Sequence, residues 1–497
     1  MSSLEKKTTV ALSWSGLETL LNQGLTIGIR IILARMIDPT EFGLLALLTI
    51  VITLCEIVIQ SGFGQAIIQK KEISQLDVST VFFFNFVCSL VFYLVLFFTA
   101  PLVAQFYEEP RLTLLLRVVA LSIVIRSLGR IHYSLLVRNL QFKKLVKITL
   151  PSLVAGGVVG IVMAFLEFEV WAIVAFQMVT AVVASLSYWK FSELEDRPQW
   201  EFSWKSLSGL WKFSSGVFGA SFIHCFVTNL YGLLIGKAFS FGQLAFYNQA
   251  RTFHQSPASI FTSLVTRVLF PVFSSIQDDN AKIIAAMKRG IPVMAFIVFP
   301  VMGFLMIASE NLVVFLLTEK WLPTARLMCW FPLVGMFMPL SAIQNNVIKA
   351  KGRTGLFFWG GLAKSALAVG VLILTIEYGI LAVVIGQVVV AAVSLLVNLA
   401  MTQYVIGYRI DMMLFDFLPY GFWVAIAGVT SILVVNLAGI ESHFASLILK
   451  FVLFGSVYYL LCRISGLAGP AECSEKIADI AIGLKRFNTP LGNQAKQ

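Results

Sequence analysis

The residues VALSWSGLETLLNQGLTIGIRIILARMIDPTEFGLLALLTIVITLCEIVIQSGFGQA, positions 10–66, decide what kind of chain this is. From Val10 to Leu33 it is apolar enough to cross a bilayer, yet it carries Glu18, Asn22, Gln23 and Arg30. It breaks at Asp38-Pro39 and restarts at once with a second apolar run, Phe42 to Ala66, which holds Glu56. A charge at bilayer depth costs at least about 2.5 kcal/mol, so it needs a partner or a wet cavity. Two charged spans in succession predict a helix bundle enclosing a polar path, the design of a transporter.

The remaining sequence extends the pattern. Its 497 residues are 58% hydrophobic and only 13% charged, with a mean hydropathy of +0.87. No soluble chain of this length has an interior large enough to hide so much apolar surface. A hydrocarbon core needs about 20 residues of helix per crossing, and lipid offers no partner to an open strand edge. The expected fold class is therefore an all-α polytopic membrane protein with about fourteen transmembrane helices. They fall near 10–34, 42–66, 78–104, 112–136, 145–166 and 170–189, then 208–236, 244–273, 291–317, 325–348, 355–376, 380–406, 414–438 and 443–463. The first run is too long and too charged for a cleavable signal and is expected to remain as a span. The six cysteines lack metal-ligand spacing, and neither a metal site nor a disulfide framework is expected from them.

A net charge of +11 is compatible with nucleic-acid binding, but its placement argues for topology. Lys6, Lys7, Lys70, Lys71, Arg138, Lys143, Lys144, Lys190, Arg197, Lys288, Arg289, Lys349 and Lys351 fall in alternate loops. The intervening loops hold only Arg35, Arg111, Lys237, Lys320 and Arg326. The positive-inside rule then puts both termini in the cytoplasm. The longest loop, Lys190 to Ser206, reads as a strap between two halves. Segments 278–290 and 474–487 have apolar residues at helical spacing, and read either as surface helices or as solvated loops.

A faint repeat supports two halves. Leu33-Ala34-Arg35 leads into Glu41-Phe42-Gly43 much as Ile235-Gly236-Lys237 leads into Gln243-Leu244-Ala245, about 200 residues later. That offset is close to six spans, which implies parallel, pseudo-symmetric lobes. The expected organisation is a six-helix lobe at 1–190, a cytoplasmic linker at 191–207 and a second six-helix lobe at 208–408. Two additional helices follow at 409–465, then a cytoplasmic tail at 466–497.

Several stretches resemble a known family. The run Leu33-Ala34-Arg35-Met36-Ile37-Asp38-Pro39-Thr40-Glu41-Phe42-Gly43 is similar to the first connection of Wzx-type polysaccharide flippases. So are Ser61-Gly62-Phe63-Gly64-Gln65-Ala66-Ile67-Ile68-Gln69-Lys70, Arg267-Val268-Leu269-Phe270-Pro271 and Glu319-Lys320-Trp321-Leu322-Pro323. These flippases belong to the multidrug/oligosaccharidyl-lipid/polysaccharide exporter superfamily, and the likeness covers roughly residues 5 to 460. The resemblance implies a two-lobed bundle in the bacterial inner membrane. Such a bundle moves a polyprenyl-diphosphate-linked oligosaccharide from the cytoplasmic to the periplasmic leaflet, with no catalytic residue and no cofactor beyond a coupling H⁺ or Na⁺. Membrane lipids and a polysaccharide polymerase or export machinery would be its partners, and nucleic acid would not.

Polar residues inside the spans are the candidate site. At 1.5 Å per residue, Arg126 and Arg130 lie roughly 15 and 9 Å from the cytoplasmic end of their span, one turn apart on one face, and Lys364 lies at about 14 Å. Arg30 and Arg251 fall about 6 to 10 Å from the opposite end. These five form two basic tiers suited to a diphosphate and its sugars, because guanidinium forks match phosphate oxygens. The competing reading is that the cations snorkel to headgroups. Glu18 and Glu56 are read either as an ion-coupling site or as structural partners of Arg126 or Arg130. Asn22, His224 and His254 are candidate cavity-lining residues, Arg267 is a candidate gate contact, and Arg117 is an interfacial anchor.

A cation-coupled multidrug exporter of the same superfamily is the nearest rival, but a cavity for cations should be acidic. A membrane polysaccharide polymerase should present a large catalytic loop, and every loop here is short. Orientation is directly testable. A phosphatase reporter fused after residue 467 should be inactive in cells, and the same reporter inserted after Glu109 active. An active fusion at 467 would reverse the assigned topology.

Overall fold

The computed structural model describes residues 3–60, 63–70, 72–192, 197–440 and 442–467. Among them the chain is a succession of helices that falls into two compact units, residues 1–245 and 246–497. The first unit contains α1 (Ser3–Met36), α2 (Pro39–Gln60), α3 (Phe63–Gln69), α4 (Gln75–Tyr107), α5 (Arg111–Arg138), α6 (Phe142–Phe165), α7 (Val170–Phe191) and α8 (Trp204–Ala238). The boundary falls in the first turns of α9 (Phe241–Ser275). The second unit continues with α10 (Asn280–Ile307), α11 (Ser309–Leu317), a 3-10 turn at Glu319–Trp321, α12 (Leu322–Met328), α13 (Phe331–Ala350), α14 (Thr354–Thr375), α15 (Ile380–Ile406), α16 (Ile410–Phe415), α17 (Leu418–Leu437) and α18 (His443–Ile464).

Among the described residues, twelve helices are long and apolar enough to cross a membrane. A thirteenth comes from the pair 319–328 and 331–350, bent by 47°. The apolar half of α8, Cys225–Ala238, supplies the remaining one of the fourteen expected segments. Large side chains such as Phe98, Phe165 and Leu437 stand more than two-thirds exposed on these helices, as a lipid-facing surface requires.

Two local readings are corrected. The segment 278–290 is neither a surface helix nor a loop. Asp279 caps α10 by accepting from the Lys282 amide at 3.1 Å, and Ile283 and Met287 are fully buried, so the membrane helix simply starts earlier. The span expected at 291–317 breaks at Ala308 into α10 and α11. By contact, α8 packs on α2, α3 and α4 and falls in the first unit. The strap 197–206 is sewn to the start of α4. Gln75 donates to the Arg197 carbonyl, Ser79 accepts from Gln199, Thr80 accepts from Ser203, and Ser206 donates to the buried Asp77. Lys70 completes the Asp77 site with an ion pair at 2.5 Å. The stretch 474–487 lies outside the described residues.

Within the first unit, close helix packing is set by small residues. Gly156 and Gly160 on α6 face α7, where a Cβ on Gly156 would stand 2.1 Å from the Thr180 hydroxyl and one on Gly160 2.9 Å from Phe176. This is the small-xxx-small contact that lets membrane helices approach without a hydrophobic driving force. The second unit instead has a continuous apolar core around Met287, Phe299, Met302, Ile343, Leu399 and Tyr420, drawn from α10, α13, α15 and α17. Gly156→Val should therefore lower the melting temperature of the detergent-solubilised protein by several degrees. Gly370→Ala, with nothing near its missing Cβ, should leave it unchanged or slightly raised. Equal melting of the two variants would mean the α6–α7 contact is not close.

Candidate functional site

Helical spacing puts Arg126, Arg130 and Tyr133 on one face of α5, since residues three and four apart are neighbours on a helix. That face lines a cavity of about 360 Å³, together with Glu56 of α2, Asn85 of α4, and Thr180, Ser185 and Tyr188 of α7. A second cavity of about 230 Å³ shares Glu56, Arg126 and Thr180, so the two adjoin. It adds Thr26 and Arg30 of α1, Thr49 and Thr53 of α2, and Gln177 of α7. The first unit thus collects Arg30, Arg126, Arg130 and Glu56 around one polar interior.

Glu56 and Arg126 form an ion pair at 3.1 Å between the two cavities, with the arginine side chain 45% exposed. Arg126 lines both hollows, and a charge at membrane depth requires a partner or such an opening. Arg30 and Arg130 are likewise exposed within the same walls. The surrounding hydroxyls are mostly committed to backbone carbonyls: Thr53 donates within its own helix to the Thr49 carbonyl at 2.7 Å, and Ser185 of α7 donates across to the Ile125 carbonyl of α5 at 2.5 Å. The Ser127 hydroxyl donates to Val124 at 2.7 Å and accepts from Ser89 at 3.0 Å. Arg30, Arg126 and Arg130 are the cationic donors on these walls.

The other expected residues are placed as follows. Glu18 accepts from Asn22 at 2.6 Å, and Asn22 also donates to Thr149 of α6 at 3.1 Å, which ties α1 to α6. In the second unit, Lys364 of α14 donates to Asn398 of α15 at 2.7 Å. His254 is 4% exposed with its ring stacked on Phe331 at 4.8 Å, so it is packed in rather than open to a cavity. Arg251 is half-buried one turn from His254 and from Tyr247, whose hydroxyl accepts from Gln387 at 2.7 Å. Arg267 is exposed on α9. The His224 side chain lies outside the described residues. Arg117 is held at the outer part of α5, its guanidinium 4.3 Å from the Phe97 ring centroid.

Outside the spans, a bond from the Lys237 ammonium at 2.9 Å holds the Glu108 carboxyl below the usual carboxylate range. Sequence reasoning passed over Tyr133, Tyr188, Asn85 and Gln177, because single tyrosines and amides in apolar runs carry no pattern. The one available signal was Tyr133 lying three residues beyond Arg130. It also passed over Lys450 of α18, whose ammonium donates to Asn311 at 2.6 Å and to the Ile307 carbonyl at 3.3 Å.

The helical spans and the charged hollow in the first unit define a multi-pass membrane protein with a polar interior. The profile of the polysaccharide biosynthesis protein family matches residues 32–326, and the chain belongs to that family. It is 29% identical to the lipopolysaccharide biosynthesis protein WzxC of Escherichia coli K12 over 376 residues, 75% of this chain and 76% of that one. It is 26% identical to the teichuronic acid biosynthesis protein TuaB of Bacillus subtilis 168, over 72% of this chain and 74% of that one. The succinoglycan biosynthesis transport protein ExoT of Rhizobium meliloti 1021 is also 26% identical, over 81% of this chain and 79% of that one. Among solved structures, the lipid II flippase MurJ in an inward closed conformation superposes with a TM-score of 0.71, covering 91% of this chain and 98% of its own at 17% identity. An inward-facing MATE family multidrug transporter gives 0.58, over 80% and 99%, at 15% identity. The fold is therefore the one these transporters share.

The pair at the centre makes a prediction of opposite signs. Glu56 and an incoming anion compete for Arg126. Glu56→Gln should tighten binding of inorganic pyrophosphate and Arg126→Gln should weaken it, each by several-fold to about tenfold, read by equilibrium dialysis on the purified protein. Weakening by both substitutions would show the pair to be a structural tie.

Proposed function

We propose that this protein is a flippase for a polyprenyl-diphosphate-linked oligosaccharide, moving it from the cytoplasmic to the periplasmic leaflet of the bacterial inner membrane for surface polysaccharide synthesis. The observation that carries this reading is the hollow in the first unit, where Arg30, Arg126 and Arg130 line adjoining walls together with Glu56. The surplus positive charge suits a diphosphate, whose oxygens take paired N–H donors. No bond in the substrate is broken, so no nucleophile or general acid is needed.

The transport cycle is alternating access. The diphosphate binds the arginines, the sugars occupy the polar interior and the lipid tail stays in the bilayer. Binding drives the change of state only through a difference in affinity between the two states. Arg251 and Lys364 offer anion-binding groups within the second unit; an ammonium has three N–H donors, and the Lys364 bond to Asn398 occupies one. Arg267 acts as a gate contact. Glu18 and Glu56 couple the cycle to H⁺ or Na⁺, with Glu56 set free as the diphosphate takes Arg126. Both termini are cytoplasmic, and a polysaccharide polymerase or export complex receives the product.

The fold is also that of MATE transporters, which makes a cation exporter the second reading. A hollow lined by three arginines repels organic cations, which favours the first. Proteoliposomes separate the two. Wild type should translocate a fluorescent undecaprenyl-diphosphate saccharide and leave ethidium in place, and Arg126→Ala and Arg130→Ala should each cut the lipid rate at least about tenfold. Ethidium movement without lipid movement would falsify the flippase reading. Normal lipid flux in both variants would show these arginines to be anchors.

A further inference from the structure

The wall of the larger hollow carries more than charge. The Arg130 guanidinium lies over the Tyr133 ring, 5.4 Å from its centroid. Tyr188 of α7 meets Tyr133 edge to face, with centroids 6.4 Å apart and planes at 87°. The Tyr188 ring reaches the α5 backbone because residue 129 is glycine; a Cβ there would stand 2.7 Å from its Cδ2 atom. This aromatic pair is held in place and opens onto the hollow beside the anion-binding arginines.

Asn85 lines the same hollow from α4. It is 3% exposed, and its Oδ1 has no hydrogen-bond partner. A buried carbonyl left unpaired costs about 1–3 kcal/mol. The neighbouring hydroxyls of Ser127 and Ser185 already donate to backbone carbonyls and do not relieve it. The terminal torsion of an asparagine is soft, so a small turn of the amide presents this acceptor to a donor in the hollow. A diphosphate has no use for such a wall, since it brings neither an apolar face nor, when ionised, a hydroxyl to donate. A sugar ring brings both: axial C–H groups that lie against aromatic rings, and hydroxyls that donate to an amide oxygen.

We propose that Tyr133, Tyr188 and Asn85 form a subsite for the sugar ring attached directly to the diphosphate. The ring's C–H face rests on the tyrosines, one hydroxyl donates to Asn85, and Arg130 spans the junction between sugar and phosphate. The subsite rests on the lipid-diphosphate reading above and adds to it the residues that discriminate a glycosylated carrier from a bare one.

The test uses the full-length protein in nanodiscs with undecaprenyl diphosphate, bare or carrying one glucose, galactose or N-acetylglucosamine. At least one sugar-bearing probe should bind about tenfold tighter than the bare carrier. The ratio of the two affinities should collapse towards one in Tyr133→Leu, Tyr188→Leu and Asn85→Leu, and persist in Tyr133→Phe, which keeps the ring. In the wild type, a diazirine on the sugar should crosslink to α5 or α7, a readout that does not depend on any variant folding. A ratio near one for every sugar, a ratio unmoved in the three leucine variants, or crosslinks confined to other helices overturns the subsite and leaves the flippase reading intact. Failure of the wild type to bind any of these probes overturns that reading and the subsite with it.

Discussion

Glu56 and Arg126, 3.1 Å apart where two hollows meet, are the contact on which the first unit depends. Opposite charges on α2 and α5 at membrane depth demand either each other or water, and the bundle supplies both. Pairing holds the helices together, and the hollow on either side keeps the arginine hydrated and within reach of an anion. A fully dry pair would be a fixed tie, because removing either partner would strand a buried charge. A half-open pair is exchangeable, which is what a carrier of an anionic headgroup needs.

The two units handle their membrane cations differently. In the first, Arg30, Arg126 and Arg130 line two adjoining hollows, with Arg126 paired to Glu56. In the second, Lys364 is tied to Asn398, and Lys450 to Asn311 and the Ile307 carbonyl. Neutral amide acceptors satisfy a donor without cancelling its charge, so these lysines stay positive while knitting helices together. Glycines set the α6–α7 contact beside the hollow, whereas a continuous apolar core fills the α10, α13, α15 and α17 cluster.

Family and fold carry different weight. The family match over residues 32–326 takes in α2, α4, α5 and α7, the helices that bring Glu56, Asn85, Arg126, Arg130 and Tyr188 together. The structural likeness to MurJ and to a MATE transporter, at 17% and 15% identity, is a likeness of scaffold. One scaffold serves different cargoes because function lives in the side chains grafted onto its interior.

The amino-acid sequence by itself determined the all-α membrane class, because apolar runs of span length have no other stable form in lipid. It also marked Arg30, Glu56, Arg126 and Arg130, since a charge inside such a run stands out against every neighbour. Tertiary structure alone decided which of these meet. Arg126 and Arg130 share a face by helical spacing, but Glu56 is seventy positions from Arg126 and nothing local fixes the rotation of α2 against α5. It also decided that His254 stacks on Phe331 while Tyr133, Tyr188 and Asn85 line a hollow. A histidine, a tyrosine or an asparagine in an apolar run is compatible with either fate, and only the packing of neighbouring helices selects between them.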